Sequence, residues 1–347
     1  MSRTLSVPST MREALDPAWL QVALAPVANG AAIHSVETVE RIHTMASKAR
    51  IEVRFADSPD RPRAFCLKAF LDAEGGVSYG GITTIREARF YREISARVQM
   101  RAPKFVNAVI DENEQRAILI MSDVIAEGGR FCSALQPFTA EQAAQTIEQI
   151  AHLHAASHLL REATWLPCRI DDLSRRQIYS VEDVQSLLDD PRGEGLPART
   201  RSAELLYATM KKLAARCAGH PQTVLHGDCH AGNIYWTSEG PGFADWQLIQ
   251  RGHWALDVAY HVAAVLPIVL AEREERRLLD HYLDALRRLG GDPPDRDAAW
   301  DDYRAAQVYG FYHWAISRRQ DPAITREFTQ RLGTGVTRHE TYSVLGL

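Results

Sequence analysis

The sequence predicts an α+β fold, in which a small strand-rich domain precedes a larger, mostly helical one. Its length of 347 residues exceeds the roughly 100–200 residues typical of a single domain. Short alternating segments typical of strands run from Ile33 to Asp123, whereas helical periodicity dominates the rest of the chain. We therefore predict two domains, residues 1–121 and residues 122–347.

Five short segments in the first domain predict strands. In "RIEVRF" the side chains of Ile51, Val53 and Phe55 fall on one face. "HSVETVERIH" precedes it with a less regular alternation, and "AFCLKAF", "KFVNAVI" and "AILIM" follow it. "GITTIREARFYREISARV" has helical periodicity and separates the third strand from the fourth. One further short helix is expected from Pro17 to Ala25.

Helical segments fill the second domain. Thr139 and Gln142 form a capping box in front of "AEQAAQTIEQIAHLHAASH". "DDPRGEGLPART" predicts an exposed loop, and the stripe of Tyr309, Tyr312 and Trp314 is more typical of a core than of a pocket wall. Further helices are predicted near Ser202–Ala218, Trp254–Leu266, Ala271–Leu289 and Ala298–Ser317.

Composition narrows the class of protein. Hydrophobic residues make up 46% of the chain, which is enough for a sizeable core, and the net charge of −4 disfavours nucleic acid or an anionic membrane as a partner. Five cysteines without a C-x-x-C pair favour a reducing compartment. "MSRTLSVPSTMREAL" lacks the apolar core of a signal peptide, and "VAAVLPIVLA" is too short to span a bilayer. We expect a cytoplasmic protein, either a monomer or a homodimer.

Lys68 is an unusual residue for its strand. In alternating geometry its side chain shares a face with Cys66 and Phe70, which are both apolar. An edge strand would let the ammonium group reach solvent, whereas a buried ammonium group requires an anionic partner. Glu87 offers one, because it lies centrally on the apolar face of the following helix. We predict a Lys68–Glu87 pair, with a solvent-facing edge lysine as the alternative.

The segment "VLHGDCHAGNIYW" is followed by a turn, "TSEGPG", and then by "FADW", a pattern that predicts a hairpin. If the hairpin is centred near Glu239, Ile234 faces Ala244 and Asn233 faces Asp245. Directly opposed residues have Cβ atoms roughly 5 Å apart. An amide oxygen and a carboxylate at that spacing would suit Mg²⁺.

Three other interpretations of this segment stay open. A zinc site would use His226, Asp228, Cys229 and His230, although these residues crowd together and no second cluster accompanies them. A covalent mechanism would use Cys229 as the nucleophile and a histidine as its base. In the third interpretation the loop is purely structural.

The pattern "HGDCHAGN" fits H-x-D-x-x-x-x-N, the catalytic-loop spacing of kinase-like phosphotransferases. With "ADWQ" after it, the chain resembles the aminoglycoside phosphotransferase and choline kinase-like family from about Ile33 to Trp314. Lys68, Glu87 in "REARFY", "LIMSDV", "IAHLHA" and "DVAYHVA" all follow in the family's order. The resemblance implies a bilobal protein-kinase-like fold, with a five-stranded antiparallel sheet plus one helix in the small N-terminal lobe and a larger, mostly helical C-terminal lobe.

The resemblance also implies roles for the residues that match the catalytic loop and the "ADWQ" segment after it. Asp228 would accept or orient the proton of the acceptor hydroxyl. Asn233 and Asp245 would hold Mg²⁺ on the phosphates of ATP.

The same resemblance places the nucleotide mainly in the first domain. Lys68, steadied by Glu87, would bind the α- and β-phosphates. The backbone of Ser122 and Val124 would contact the adenine at the hinge between the lobes. Asp257 would be structural and would brace the catalytic loop.

These residues together predict an ATP- and Mg²⁺-dependent phosphotransferase that acts on a hydroxyl of a small molecule. The metal aspartate stands in "ADWQ" rather than in D-F-G, and there is no A-P-E segment to bind a peptide substrate. The loop expected over the phosphates, "HTMASKAR", contains Ser47 but no glycine. The alternatives are a catalytically silent nucleotide-binding protein of the same fold and a metal-dependent hydrolase.

Overall fold

The computed structural model describes residues 5–43, 46–71 and 81–347, and the chain divides into two compact units. The first unit takes in Met1–Arg97, Ala102–Arg130 and Ala244–Leu248. The second comprises Val98–Arg101, Phe131–Phe243 and Ile249–Leu347. The boundary predicted between residues 121 and 122 therefore lies inside the first unit. The first unit also includes Asp245, which the predicted boundary places in the second domain.

A five-stranded antiparallel sheet forms the first unit, as the sequence predicts. Its strands lie in the order β1-β2-β3-β5-β4, so β3, the strand of Lys68, is at the centre of the sheet. Burial alternates strictly along β2, whose inward side chains pack into the core of this unit. The strands are β1 (Ile33–His43), β2 (Ser47–Phe55), β3 (Arg63–Ala69), β4 (Phe105–Asp111) and β5 (Arg116–Ser122).

The N-terminal helix predicted from Pro17 to Ala25 is present but ends at Ala23, and two further short helices flank it, so that the described residues before β1 form three. Asp16 caps the second of them, because its side chain accepts hydrogen bonds from two backbone N–H groups. Pro26 is compatible only with the first turn of a helix, so the chain begins a new helix at Ala25. The helices are α1 (Met11–Ala14), α2 (Pro17–Ala23) and α3 (Ala25–Ala28).

The helix predicted between the third and fourth strands is α4 (Gly81–Arg89). It continues as a π-helical turn, Phe90–Ile94, and then as a 3₁₀ turn, Ser95–Arg97. Phe90, Tyr91 and Ile94 are buried, so the apolar face predicted for this helix continues through the π-helical turn.

The second unit is mostly helical. The capping box is present, because Thr139 and Gln142 each accept a hydrogen bond from the backbone N–H of the other. In the described part of the chain, no helix is both long and apolar enough to cross a membrane. The helices are α5 (Ala140–His154), α6 (Arg169–Arg175), α7 (Val181–Asp189), α8 (Ala203–Ala218), α9 (Ala255–Val265), α10 (Ile268–Arg288), α11 (Arg296–Ala315), α12 (Pro322–Arg338) and α13 (Thr341–Val344).

The sequence prediction omits four of these helices, α6, α7, α12 and α13. Asp321 before Pro322 starts α12 with the same signal that Asp16 and Pro17 give to α2. The predicted exposed loop "DDPRGEGLPART" is also only partly exposed, since Leu196 and Thr200 within it are buried. In both segments the packing partners lie far away in the sequence, where local periodicity gives no signal.

The predicted hairpin exists, but its predicted register is wrong by one residue. Ile234 pairs with Phe243 rather than with Ala244, and Thr237 pairs with Gly240. The turn between the strands therefore has two residues, Ser238 and Glu239, and the strands separate before Asp245. The remaining strands are β6 (Arg130–Phe131), β7 (Thr223–Leu225), β8 (Ile234–Thr237), β9 (Gly240–Phe243) and β10 (Gln250–Gly252), and β10 pairs antiparallel with β7.

Thr139→Ala should lower the free energy of unfolding of the helical unit by about 1 kcal/mol, because the first turn of α5 loses its side-chain acceptor. Urea denaturation followed by circular dichroism measures this change. Thr164→Ala, in an exposed turn, is the matched control and should leave the midpoint nearly unchanged. Equal midpoints for both variants would contradict the capping role.

Candidate active site

Lys68 is buried at the centre of the sheet of the first unit, which rules out the solvent-facing edge position. Its side chain is 4% exposed, and its Nζ lies 2.8 Å from Glu87 Oε2 and 2.9 Å from Asp245 Oδ1. Burial alone would lower the pKa of Lys68, but the carboxylates of Asp245 and Glu87 outweigh it and raise the pKa. The ammonium group therefore stays charged between two anions, and the predicted pair with Glu87 is present.

Glu87 connects α4 to the segment that contains Asp245. The backbone N–H of Trp246 donates a hydrogen bond of 3.1 Å to Glu87 Oε1. The indole ring of Trp246 stacks on Phe90, with 3.6 Å between the ring centroids. The residue after Asp245 is thus fixed by a hydrogen bond and a ring stack, and this positions the Asp245 carboxylate beside Lys68.

Asp245 adopts a left-handed backbone conformation, with φ of +64°. Such a φ costs free energy for most residues other than glycine, although Asp and Asn tolerate it better than others. Strained backbone of this kind is concentrated at functional sites. The side chain is 30% exposed, and its Oδ1 contacts Lys68. A partly exposed carboxylate at this position is the kind of group that could ligate a metal ion.

The two residues predicted to bind adenine lie at the end of β5 and in the turn after it. Ser122 donates its backbone N–H to the carbonyl of Lys104 over 2.9 Å. The carbonyl of Val124 accepts the N–H of Gly129 over 2.8 Å. A carbonyl oxygen has two lone pairs, so that of Val124 can accept a further hydrogen bond. The N–H of Ser122, by contrast, already has a partner within the chain.

The loop predicted to cover the phosphates, "HTMASKAR", lies largely in strands, since His43 ends β1 and Ser47 begins β2. Thr44 and Met45 in this loop lie outside the described residues. Ser47 is buried, and its hydroxyl donates a hydrogen bond of 3.0 Å to the carbonyl of Leu71. This hydroxyl therefore connects the start of β2 to the segment that follows β3.

A buried carboxylate holds the loop of residues 226–233 in the second unit, which has the catalytic-loop pattern and is called the catalytic loop below. Asp257 lies on α9 and is fully buried, and its two oxygens accept the backbone N–H groups of His226 and Gly227 at 2.7 and 2.9 Å. Gly227 has φ of +83°, a value that favours glycine at the point where the loop turns. Asp257 thus braces the loop, as the resemblance implies.

Asp228 follows this turn and is held by three side chains. Its Oδ1 accepts the hydroxyl of Tyr260 over 3.0 Å, and its Oδ2 accepts the amide N–H of Asn233 over 3.0 Å. His230 Nε2 lies 3.5 Å from Oδ2. Burial would raise the pKa of Asp228, but His230 outweighs it and lowers the pKa below its ordinary range. Asp228 is therefore an ionised carboxylate in a fixed orientation.

Asn233 lies at the end of a 3₁₀ turn directly before β8. Its Nδ2 donates both to the carbonyl of Asp228, over 2.9 Å, and to the Asp228 carboxylate. In this orientation the amide oxygen Oδ1 is the atom of the side chain that could ligate a metal ion. A hard oxygen at Asn233 and a carboxylate oxygen at Asp245 are both donors that suit Mg²⁺.

Three residues that support the catalytic loop are absent from the predicted site. Tyr260 donates to Asp228, Trp314 Nε1 donates to the Tyr260 hydroxyl over 2.7 Å, and the Tyr309 hydroxyl donates to the Gly227 carbonyl over 3.1 Å. All three are buried, as the core interpretation of the aromatic stripe predicts for Tyr309 and Trp314. Tyr260 stands three residues after Asp257, and this spacing places both side chains on the same face of α9.

The comparison with known families agrees with this geometry. A profile of the phosphotransferase enzyme family matches residues 82–309, about two thirds of the chain. The chain belongs to this family.

Two curated relatives are similar to parts of this phosphotransferase family member. Stress response kinase A of Escherichia coli K12 is 31% identical over 134 residues, which is 36% of this chain and 38% of that protein. The serine/threonine protein kinase RdoA of Salmonella typhimurium LT2 is 28% identical over 121 residues, 34% of each. The matched segments thus span about a third of the length of these relatives.

A solved choline kinase from Cryptosporidium parvum Iowa II is similar to nearly the whole chain. The TM-score is 0.51 at 12% identity, and the similarity covers 95% of this chain and 92% of that one. At this identity the similarity concerns the fold, and it confirms the predicted α+β, protein-kinase-like fold class.

The family assignment leaves little support for the zinc and thiol interpretations of the loop. The side chain of Cys229 is fully buried, and burial raises the pKa of its thiol well above the ordinary value. In the described ranges, no three side chains among His226, Asp228, Cys229 and His230 bring ligand atoms within 4.8 Å of one another. A neutral, enclosed thiol is a poor nucleophile and a poor zinc ligand.

Cys229 should therefore resist alkylation in the folded phosphotransferase. Iodoacetamide at pH 8, followed by peptide mass spectrometry, should modify the half-buried Cys168 before Cys229, because only the thiolate reacts and burial disfavours it. Denatured protein, in which all five cysteines should react, is the control. Rapid labelling of Cys229 in the native state would revive the nucleophile interpretation.

Proposed function

We propose that this protein is a kinase that transfers the γ-phosphoryl group of ATP, with Mg²⁺, to a hydroxyl group of a small molecule. The observation that carries the proposal is the hydrogen bonding of Asn233 to Asp228. The amide nitrogen of Asn233 orients the Asp228 carboxylate. In the proposed site this carboxylate would face the acceptor, and the amide oxygen of Asn233 would be a metal ligand. Phosphoryl transfer needs this combination of positioning and charge neutralisation.

At the γ-phosphorus the reaction forms one bond and breaks one bond. The acceptor oxygen bonds to the γ-phosphorus, the bond from that phosphorus to the bridging oxygen breaks, ADP leaves, and the acceptor proton passes to Asp228 or to solvent. Because the pKa of Asp228 is lowered, its carboxylate is a weak base. We therefore assign Asp228 to orient the hydroxyl and to take its proton late, which a loose transition state permits.

The remaining residues of the site bind ATP and its metal ion. Lys68 would neutralise the α- and β-phosphates, Glu87 would keep the ammonium group in place, and Val124 would offer its carbonyl to the adenine. Asn233 and Asp245 would hold Mg²⁺, which supplies charge neutralisation on the phosphates when it is bound. The free state of all five cysteines fits the cytoplasm, the reducing compartment that we expect for this kinase.

A protein hydroxyl is a second candidate acceptor. The similarity to a relative named as a serine/threonine protein kinase favours it. The sequence "ADWQ" and the lack of an A-P-E segment favour the small molecule.

A two-stage experiment separates these acceptors. The first stage screens hydroxylated small molecules, including amino alcohols and aminoglycosides, for thermal stabilisation in the presence of Mg²⁺ and a non-hydrolysable ATP analogue. The second stage follows radiolabelled γ-phosphate from ATP into each hit and into added proteins. Label in a small molecule supports the proposal, and label only in protein supports the second candidate. Nucleotide binding with no transfer to either would identify a catalytically silent protein, and phosphate release only to water would identify a hydrolase.

Glu87→Gln should lower kcat/KM for ATP by about 10–100-fold, because a neutral amide no longer holds the Lys68 ammonium group in place. Steady-state kinetics at varied ATP concentration measures the loss. Glu114→Gln removes an exposed carboxylate from the same unit and should have no effect. A folded Glu87→Gln protein with unchanged KM for ATP and unchanged kcat would remove the assignment.

We expect Asp228→Asn and Asp245→Asn to impair different steps, phosphoryl transfer in the first variant and nucleotide binding in the second. The first should abolish transfer, with a rate loss of about 10²–10⁴, and should leave binding of Mg·ATP largely intact. The second should weaken Mg²⁺-dependent nucleotide binding as well as turnover, because it removes a metal ligand. Calorimetric titration of both variants with Mg·ATP separates the two. Loss of nucleotide affinity in Asp228→Asn alone would reverse the two assignments, and full activity in both would rule out the kinase.

A further inference from the structure

A second group of metal-ligating side chains lies in the helical unit, apart from the residues discussed above. The antiparallel pair β7 and β10 brings two histidines to the same end of a small sheet. Thr223 pairs with Gly252 in this ladder. His220 precedes Thr223 by three residues, and His253 directly follows Gly252. The strand pairing therefore places the two imidazole rings side by side, with 4.7 Å between their centroids.

Asp302 on α11 completes the group. Its Oδ2 lies 3.4 Å from His253 Nε2 and 3.8 Å from His220 Nδ1. One ligand atom from each of the three residues lies within 4.8 Å of the others. Nitrogen and oxygen donors from three separate segments thus converge on one point.

These spacings are long for hydrogen bonds but suit a shared metal ion. An N–H···O hydrogen bond has a donor–acceptor distance of roughly 2.7–3.2 Å. Ligands bound to Zn²⁺ at roughly 2.0–2.1 Å in a tetrahedron lie roughly 3.3–3.4 Å apart. The distance of 3.4 Å between His253 Nε2 and Asp302 Oδ2 agrees with the tetrahedral value. The distance of 3.8 Å between His220 Nδ1 and Asp302 Oδ2 would reach this value after a small movement of the half-exposed His220 ring.

Arg216 orients the Asp302 carboxylate by hydrogen bonds, as residues next to a metal site often orient the carboxylate that binds the metal. Its Nε and Nη2 both donate to Asp302 Oδ1, at 3.0 and 2.7 Å, so that Oδ2 is the oxygen directed at the histidines. His253 and Asp302 are each 4% exposed, whereas the ring of His220 reaches solvent. The arrangement thus provides three protein ligands and an open side for a water molecule.

We propose that His220, His253 and Asp302 form a binding site for a divalent transition metal ion such as Zn²⁺. Two imidazole nitrogens and one carboxylate oxygen suit Zn²⁺, whereas Mg²⁺ prefers oxygen ligands in an octahedron. The bound ion would join the end of α8, the start of α9 and the middle of α11. Since α9 carries Asp257, this site would stabilise the helix that braces the catalytic loop.

The competing interpretation is an ion pair between Arg216 and Asp302 with two histidines packed beside it. An ion pair of this kind needs no metal, and it predicts no change in metal affinity when His220 is removed. Zn²⁺ affinity therefore distinguishes the two interpretations independently of phosphotransfer.

The test uses the full chain, stripped of metal with a chelator and then freed of the chelator. Calorimetric titration with zinc chloride, without nucleotide, gives the affinity, and elemental mass spectrometry gives the stoichiometry. We expect one bound Zn²⁺ per chain and a higher unfolding temperature in its presence. His220→Ala should weaken binding by at least about tenfold, since even residues that only orient a ligand contribute that much. His253→Ala should weaken it similarly.

His158→Ala, which removes an exposed histidine from the same unit, is the matched control and should bind Zn²⁺ as the native chain does. His220→Gln keeps a polar side chain at this position and provides the same measurement if His220→Ala unfolds. Co²⁺ should give the intense visible absorption of a tetrahedral site in the native chain but not in the His220 variants. Absence of Zn²⁺ binding by the native chain, or equal affinity in a folded His220 variant, would overturn the proposal.

Discussion

The catalytic loop of the second unit depends on one buried carboxylate. Asp257 is fully buried, and such a charge is costly unless hydrogen bonds satisfy it. Burial alone would raise the pKa of Asp257, but His154 and the backbone N–H of Gly227 outweigh it and lower the pKa. His154 in turn contacts the hydroxyl of Tyr282 at 2.7 Å. The loop can adopt its sharp turn because this network supplies the partners that its backbone would otherwise lack.

The first unit contains a buried cation held by anions, whereas Asp257 in the second unit is a buried anion. Lys68 would be unstable at the centre of a sheet without Glu87 and Asp245, and Glu87 would be equally unstable without Lys68. A buried ion pair is weak evidence for added stability, because desolvation offsets much of the attraction. The value of the pair is geometric, since it fixes the ammonium group and the Asp245 carboxylate at 2.9 Å from each other.

Local pattern was sufficient for the sheet, the main helices and the Lys68–Glu87 pair, because alternation and helical period decide which side chains share a face. It failed for the hairpin register, because the composition of "TSEGPG" is compatible with a turn of two residues and with a turn of three. It also missed Tyr260, whose importance arises from a contact with Asp228 across 32 positions of the chain. The left-handed φ of Asp245 has no sequence signal either, and the contacts that fix the next residue, Trp246, come from Glu87 and Phe90, which are distant in the sequence.

The clamped ammonium group of Lys68 also limits covalent inhibition. A neutral amine is the nucleophile that attacks acylating and sulfonylating reagents, and the raised pKa of Lys68 leaves very little of the side chain in that form at neutral pH. Cys66, two positions earlier on the same strand, offers no substitute, since burial raises its pKa to about 11. A covalent ligand directed at this strand would first have to separate Lys68 from both Glu87 and Asp245, so reversible contacts are the better route to inhibition there.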